Sequence, residues 1–258
     1  MASRITGPGF KTLPTKGLNG VEFDIPEQLL RCDVSIPPLG CAAAPYYSPP
    51  SEDLSSPGTT WFPTLGATRF PRWNQVTTAY HEAVPGHHLQ LGMTRLLPLT
   101  RFQRVAFNAA HGEGWALYAE RLMDELGWFK TPDTRLGFLS MQALRAARVV
   151  VDIGLHTDCV IPTGWHGAGE KWNLDLAVTH LMAAGGQDES FAKSEALRYL
   201  SMPAQAISYK IGERAWLEAR TRARAKHGSS FDRKSWHSAA LGLGALGLDQ
   251  FATEMDAI

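Results

Sequence analysis

The 258-residue sequence has no long apolar run, no excess of either charge and few cysteines. No stretch of about 18 apolar residues occurs, which argues against a membrane-spanning helix. The N-terminal residues MASRITGPGFKTLPTKGL lack the apolar core of a secretory signal. Lys and Arg together number 25, as do Asp and Glu, so no net charge draws the chain to nucleic acid or to an anionic membrane. We therefore expect a cytoplasmic protein that binds neither nucleic acid nor membrane.

The three cysteines, Cys32, Cys41 and Cys159, are too few and too scattered for a disulfide framework, and no CxxC pair is present. A Cys32–Cys41 bridge is conceivable, but reduced thiols are favoured in a cytosolic protein. Hydrophobic residues make up 44% and charged residues 19%, the balance of a globular protein. A chain of this length can bury a sizeable core, in one large domain or two small ones.

Proline and glycine divide the chain into two predicted parts. Residues 1–78 contain SIPPLG, YYSPPSED and SSPGTTWFPT, in which proline blocks helix interiors. We expect an irregular segment of loops and a few short strands, whose many aromatic residues pack on the helical part. Residues 79–258 show helical apolar patterns, as in EGWALYAERLMDELG, and are predicted to form a helical metal-binding catalytic domain. The predicted fold class is mostly α.

The sequence HEAVPGHH at residues 81–88 carries the main chemical signal. Two histidines beside a glutamate on a helix resemble an HExxH zinc site, in which the histidines lie one turn apart. Here His87 and His88 follow His81 by six and seven residues. Seven residues of regular helix span about 10 Å, which is too far for two imidazoles on one ion.

Pro85 and Gly86 offer a solution to this spacing. Proline removes a helical hydrogen bond and glycine tolerates a bulge, so a local bulge would bring His87 to the position of the second ligand. His81 and His87 are therefore the predicted ligands. His88 is expected to support the site or to contact substrate, and His88 in place of His87 is the less favoured alternative.

A third protein ligand is expected, because catalytic zinc binds three side chains and keeps one position open. In EGWALYAE, Glu113 and Glu120 lie seven residues apart on one helix face. Glu113 follows His87 at a distance that allows a helix end, a turn and the beginning of an antiparallel helix. Glu113 is the predicted ligand and Glu120 is predicted to orient a ligand histidine, with the reverse assignment left open. Glu82, adjacent to the first histidine, is the predicted general base.

Several motifs resemble the domain-of-unknown-function family 885, which is mostly bacterial and related to the gluzincin metallopeptidases: YHEAVPGHHLQ, EGWALYAERL, RYLSMPAQAISYKIG, YYSPPSED and TTWFPTLG. The resemblance implies a mostly helical, gluzincin-like fold, a zinc-dependent hydrolase of peptide-like substrates, and the ligand set His81, His87 and Glu113. Family members are typically much longer, so the resemblance covers their C-terminal half. We expect a homodimer or a partner chain to cover the face left by the missing half.

A further helix is predicted at about residues 135–156. Four residues toward its C-terminal end share a face: Arg145, Arg148, Asp152 and His156. The pattern fits either a solvated stripe of ion pairs or a set of substrate contacts. The family pattern Asp-x-Gly-x-His, matched here from Asp152 to His156, favours the second interpretation. Arg148 and Asp152 are then expected near substrate, and His156 near the developing oxyanion.

Tyr209 and Lys210 in the segment SYKIG are the last candidates. A zinc peptidase needs a hydrogen-bond donor for its oxyanion, and Tyr209 is the preferred donor. Lys210 is assigned to substrate binding. Without the motif match, a tyrosine in an amphipathic helix would be interpreted as core.

The predicted function is zinc-dependent hydrolysis of peptide or related amide bonds, with Zn²⁺ as cofactor, metal-activated water as nucleophile and Glu82 as general base. The expected partner is a peptide or a small amide substrate. Two alternatives stay open. One is a non-catalytic helical binding module that retains the metal motif, and the other is a metal-dependent enzyme of small-metabolite chemistry.

Overall fold

The computed structural model describes residues 15–38, 44–64 and 71–258. The chain forms a small sheet followed by a succession of helices, which confirms the mostly α fold class. Among the described residues, none of the helices combines the length and the apolar character that a membrane span requires. Cys32 and Cys159 are free thiols, and Cys41 lies outside the described residues.

The N-terminal part combines short elements with loops, as the sequence predicted. It contains a one-turn helix, α1 (Thr15–Leu18), a 3-10 turn (Glu27–Leu29) and three strands: β1 (Cys32–Ser35), β2 (Tyr46–Ser48) and β3 (Gly58–Trp61). Strand β3 lies in the middle of the sheet, parallel to β1 and antiparallel to β2, so that Thr60 faces both Val34 and Tyr47. Leu18, Phe23 and Leu29 are buried in the main helical core, which ties this part to the helices.

Ten helices follow in the rest of the described chain: α2 (Arg72–Glu82), α3 (His87–Leu96), α4 (Arg101–Val105), α5 (Ala109–Glu125), α6 (Pro132–His156), α7 (Leu174–Gly185), α8 (Glu189–Ser201), α9 (Ser208–His227), α10 (Arg233–Gly242) and α11 (Leu248–Ala257). Helix α2 begins directly after Pro71, whose extended backbone precedes the first turn. The succession of helices therefore begins at Arg72.

Side-chain caps fix where several of these helices begin. Asn108, Asn173, Asp188 and Asp232 each accept a hydrogen bond from the backbone N–H three residues further on. Such a cap satisfies one of the N–H groups that a helix leaves unpaired at its first turn. Helix α7 ends at Gly186 with a φ of 60°, a left-handed conformation that glycine adopts without steric cost.

Aromatic packing forms the main core. The rings of Trp115 and Trp216 lie 4.9 Å apart, and Phe251 lies 4.3 Å from Trp216. All three side chains are fully buried. A second core, between α6, α7 and α8, is built around Leu144, Leu181 and Tyr199. The first core holds the elements that carry the candidate ligands, and the second supports the C-terminal half of α6.

Helices α5 and α9 form the most extensive helix pair. A Cβ atom added at Gly212 would lie 1.8 Å from the Ala110 carbonyl oxygen, and one added at Gly114 would lie 2.4 Å from the Gly212 backbone. Glycine at both positions is what lets the two backbones come this close. The crossing places Tyr209 of α9 and Glu113 of α5 along the same cavity.

We expect Gly212→Ala to lower the free energy of unfolding by about 1–3 kcal/mol, because the added methyl group forces the two backbones apart. Gly242→Ala is the matched control, since a Cβ atom there meets nothing within 4 Å. Urea denaturation of both variants measures the difference. Equal stability of the two variants would show that the α5–α9 crossing tolerates a side chain.

Candidate metal centre

The predicted bulge is a complete interruption of the helix. Helix α2 ends at Glu82 and α3 begins at His87, with a short turn between them. The chain returns so closely on itself that a Cβ atom at Gly86 would lie 1.8 Å from the carbonyl oxygen of His81. Glycine is required at this position, and the return brings His87 against His81, with their ring centroids 4.8 Å apart.

Trp115 of α5 holds this turn in place. Its indole N–H lies 2.8 Å from the Pro85 carbonyl oxygen and 3.1 Å from that of Gly86, and it donates to both. The side chain is fully buried, so these bonds form away from solvent. Because Glu113 lies on the same helix, Trp115 fixes the turn relative to the helix that carries the third candidate ligand.

The three predicted ligands converge at one point. The Nε2 atoms of His81 and His87 each lie 3.3 Å from Oε2 of Glu113. One potential ligand atom from each residue lies within 4.8 Å of the other two, and all three residues are buried. Oε2 of Glu113 sits between the imidazoles without making a well-formed hydrogen bond. A buried carboxylate oxygen in this position is suited to share a cation with the two rings.

The electrostatics of the cluster favour positive charge. Burial would lower the pKa of His81, but the adjacent carboxylates of Glu113 and Glu120 raise it to about 9. Burial raises the pKa of Glu113, but the two histidines outweigh this effect and hold it below its usual range. Three buried carboxylates, those of Glu82, Glu113 and Glu120, surround two imidazoles. Such a site stabilises a cation, either a proton or a metal ion.

Glu82 lies beside the cluster without belonging to it. Its Oε1 atom is 4.0 Å from Nε2 of His81, and its buried Oε2 atom has no hydrogen-bond partner. Burial raises the pKa of this carboxyl group. The structure thus provides an uncommitted carboxylate at the position expected for a general base.

Glu120 forms a buried network behind His81. Its Oε1 atom lies 2.8 Å from Nδ1 of His81 and accepts a 3.1 Å hydrogen bond from Arg145, while Oε2 accepts a 2.6 Å bond from the Thr77 hydroxyl. When the carboxylate accepts from Nδ1–H, the neutral His81 ring carries its lone pair on Nε2, on the side away from Glu120. The network orients the imidazole for a ligand at Nε2.

Both ring nitrogens of His88 form hydrogen bonds inside the fold. The Leu29 carbonyl can only accept, so Nε2 of His88 donates to it at 3.0 Å, and Nδ1 accepts from the Tyr47 hydroxyl at 2.8 Å. Burial lowers the pKa of His88 to about 4, which keeps the ring neutral. The residue is completely buried and lines neither cavity near the cluster. It supports the site by holding Tyr47, whose ring stacks 6.5 Å from that of His87.

The structure does not bring His156 and Asp152 to the cluster. Nδ1 of His156 lies 3.0 Å from Oδ1 of Asp152, at the C-terminal end of α6. Arg145, on the same helix, already reaches Glu120, and 11 further residues at 1.5 Å per residue carry His156 about 16 Å along the axis. The residues share a helix face, as the spacing indicated, but only one end of that face reaches the site.

Tyr209 does reach the cluster. Its ring is nearly parallel to that of His81 at a centroid distance of 6.1 Å, and the Arg148 guanidinium lies 4.8 Å from the Tyr209 centroid. Burial raises the pKa of Tyr209 to about 12, so its hydroxyl stays protonated at neutral pH and can donate a hydrogen bond. Arg148 itself donates to Tyr199 and Glu195.

Lys210, next in sequence, is directed elsewhere. It donates to Gln142 at 2.5 Å and to Glu213 at 2.7 Å, which links α9 to α6. It lines neither cavity at the cluster. The structure therefore gives Lys210 a structural contact in place of the expected substrate contact.

Two cavities meet at the cluster. The smaller, of about 320 Å³, contains His87 and Glu113 on its wall, and the larger, of about 540 Å³, extends along Arg145 and α8. His81, Glu82 and Tyr209 line both cavities. A substrate bound across the cluster could therefore extend to either side.

The sequence did not identify Thr77, Trp115 and Tyr47. Thr77 precedes His81 by four residues, so helical spacing could have placed it on the face of His81. The contacts of Trp115 with the turn and of Tyr47 with His88 join residues 30 and 41 positions apart. No local pattern predicts such contacts.

The family model described as "Bacterial protein of unknown function (DUF885)" matches residues 24–255. The chain belongs to this family. The match extends from the N-terminal sheet to α11 and includes every residue of the cluster. The chain has no match among curated proteins.

Two solved structures are similar to this DUF885 protein. The first is described as a "putative lipoprotein" from Colwellia psychrerythraea; it is 29% identical, with a TM-score of 0.81 over 95% of this chain and 40% of the other. The second, described likewise and as of unknown function, is from Shewanella oneidensis. Its identity is 21% and its TM-score 0.72, over 93% of this chain and 42% of the other, and this likeness shows the fold alone. The present chain thus spans less than half the length of either protein. The cytoplasmic location expected from the sequence stays a prediction.

We expect Glu120→Gln to cost about 3–5 kcal/mol of folding free energy, because it leaves the buried Arg145 guanidinium without a counter-charge. Glu218→Gln is the control, since Glu218 pairs with Arg214 on the exposed surface and its loss should not be measurable. Chemical denaturation of both variants tests the difference. Similar stabilities would contradict the role assigned to the buried network.

Proposed function

We propose that this DUF885 protein is a zinc-dependent hydrolase of peptide or related amide bonds. The observation that carries the proposal is the convergence of His81, His87 and Glu113 beside the free carboxylate of Glu82, at the junction of two cavities. Two imidazoles and one carboxylate form the ligand set of many catalytic zinc sites, which leave one position open for water.

The distances from Glu113 to the two histidines fit zinc. Ligand atoms about 2.0–2.1 Å from a tetrahedral zinc ion lie about 3.3 Å from one another. That is the separation between Oε2 of Glu113 and each of the two histidine nitrogens. A Zn²⁺ ion at this position would act as a Lewis acid that activates water and polarises the substrate carbonyl.

The side chains around the cluster have separate proposed roles. Glu82 takes a proton from the attacking water and delivers it to the leaving amine, a role for which its free oxygen and raised pKa suit it. Tyr209 donates its hydroxyl hydrogen bond to the oxyanion. Glu120 keeps the proton of His81 on Nδ1, so that Nε2 faces the cluster.

We expect the purified chain to bind one zinc ion and His81→Ala to lose it, because the substitution removes one of three ligands. His166→Ala, which replaces an exposed histidine away from the cluster, is the control and should retain the metal. Elemental analysis after dialysis gives the stoichiometry. Equal zinc content in the native chain and in His81→Ala would place the metal elsewhere.

We expect Glu82→Gln to keep its zinc and to lower peptide hydrolysis by about 10²–10⁴-fold, since the amide cannot accept the proton of water. Turnover on a panel of peptides and small amides, followed by mass spectrometry, measures the effect. Unchanged turnover in the variant would reject Glu82 as the base. A native protein that binds zinc and cleaves none of these substrates would favour the non-catalytic binding module.

A further inference from the structure

Two arginines outside the cluster line the smaller cavity. Arg95 lies on α3, the helix that begins with His87, and Arg104 lies on α4. Eight residues of helix place the Arg95 backbone about 12 Å from that of His87. The Arg95 side chain reaches the end of α4, where it contacts the backbone of Arg104.

The backbone of Arg104 is held firmly, whereas its side chain is uncommitted. Its carbonyl oxygen accepts hydrogen bonds from Arg95 at 2.5 Å and from Thr94 at 3.3 Å, which join the end of α4 to α3. Within the described residues, the Arg104 guanidinium forms no hydrogen bond or ion pair, and the Nε atoms of both arginines are buried without partners. Arg104 thus lines the cavity, and among these residues its guanidinium forms no polar contact that would stabilise the fold.

This end of the cavity has an excess of positive charge. Glu52 lies close enough for three arginines to lower its pKa, chiefly Arg101 through a hydrogen bond and then Arg104 and Arg95 through their charges. Glu52 is exposed and already bound to Arg101 at 3.2 Å. Glu52 is therefore taken up by Arg101, and among the described residues neither Arg95 nor Arg104 forms an ion pair.

The larger cavity is different. There, Arg148 and Arg198 both pair with Glu195, and Arg145 pairs with Glu120. Each of these three guanidinium groups therefore already has a buried carboxylate as its partner, although Arg148 and Arg198 share Glu195. An anionic group of a substrate would gain more at the smaller cavity.

We propose that Arg95 and Arg104 form a carboxylate-binding subsite in this cavity, so that the substrates of the proposed hydrolase bear a carboxylate. The inference rests on the function proposed above. A guanidinium donates paired hydrogen bonds to a carboxylate, and such charge-assisted bonds are the stronger ones. The carboxylate has two sources in a peptide, the C-terminal α-carboxylate and the side chain of Asp or Glu.

The test uses equilibrium binding, which does not depend on turnover. Acetylated tripeptides are titrated into the zinc-loaded chain carrying Glu82→Gln, which prevents hydrolysis. Three probes are compared: a peptide with uncharged side chains and a free C-terminal carboxylate, the same peptide as its C-terminal amide, and an amidated peptide with one Glu side chain. We expect at least one of the carboxylate probes to bind about 10-fold or more tightly than the neutral amide. The carboxylate probe that binds more tightly identifies the source.

Arg104→Gln should remove this preference, because it deletes the uncommitted guanidinium while leaving the backbone contacts of residue 104 in place. Arg101→Gln, on the same short helix but exposed and paired with Glu52, is the matched control and should keep the preference. Thermal melting verifies that both variants fold. Equal affinity for acid and amide probes, or the same effect in both variants, would overturn the subsite.

The possible outcomes distinguish a failure of the subsite proposal from a failure of the proposed function. Selective binding of carboxylate probes by a protein that hydrolyses nothing would retain the subsite and reject the proposed function. Hydrolysis by the native protein with no preference for a carboxylate in binding would retain the function and reject the subsite.

Discussion

The candidate site depends on one close approach of the backbone, in which Gly86 lies against the carbonyl of His81. A continuous helix would separate His81 from His87 by more than a turn and a half. The interruption after Glu82 returns the chain, and the Trp115 indole donates to the carbonyls of Pro85 and Gly86, the second of which also accepts from the Gln90 N–H. Both histidines and Glu82 therefore take their positions from this short turn, and Trp115 fixes the turn relative to the helix that carries Glu113.

Around this turn the protein buries an unusual amount of charge. Glu82, Glu113 and Glu120 are all buried within contact distance of His81 or next to it, and Arg145 balances only one of them. Buried charges are costly unless they are paired and hydrogen-bonded. Glu82 and Glu113 each retain a buried oxygen without a partner. Such uncompensated groups are concentrated at functional sites, where a ligand or a metal ion supplies the missing interaction.

Local pattern was sufficient for the fold class and for the residues of the cluster. The HEAVPGHH motif and the spacing of EGWALYAE pointed to His81, His87 and Glu113, and the structure brings these three together. Proline and glycine also indicated that the helix could not continue regularly. The form of the interruption depends on a tertiary contact with Trp115, which no local pattern contains.

Helical periodicity identified faces but not the distances along them. Arg145 and His156 share a face of α6, yet only Arg145 reaches Glu120. The helix is 25 residues long, and its C-terminal end lies too far along the axis from the site. His88 shows a related limit, since its partners Leu29 and Tyr47 come from the N-terminal part of the chain. Sequence spacing cannot reveal that such a residue is already committed by long-range contacts.

Anomalous diffraction at the zinc edge, from crystals of the zinc-loaded chain, tests the central claim most directly. The account predicts one strong peak about 2.0–2.2 Å from Nε2 of His81, Nε2 of His87 and a carboxylate oxygen of Glu113. A peak at another set of residues, or no peak between these three when zinc is present in excess, would contradict it.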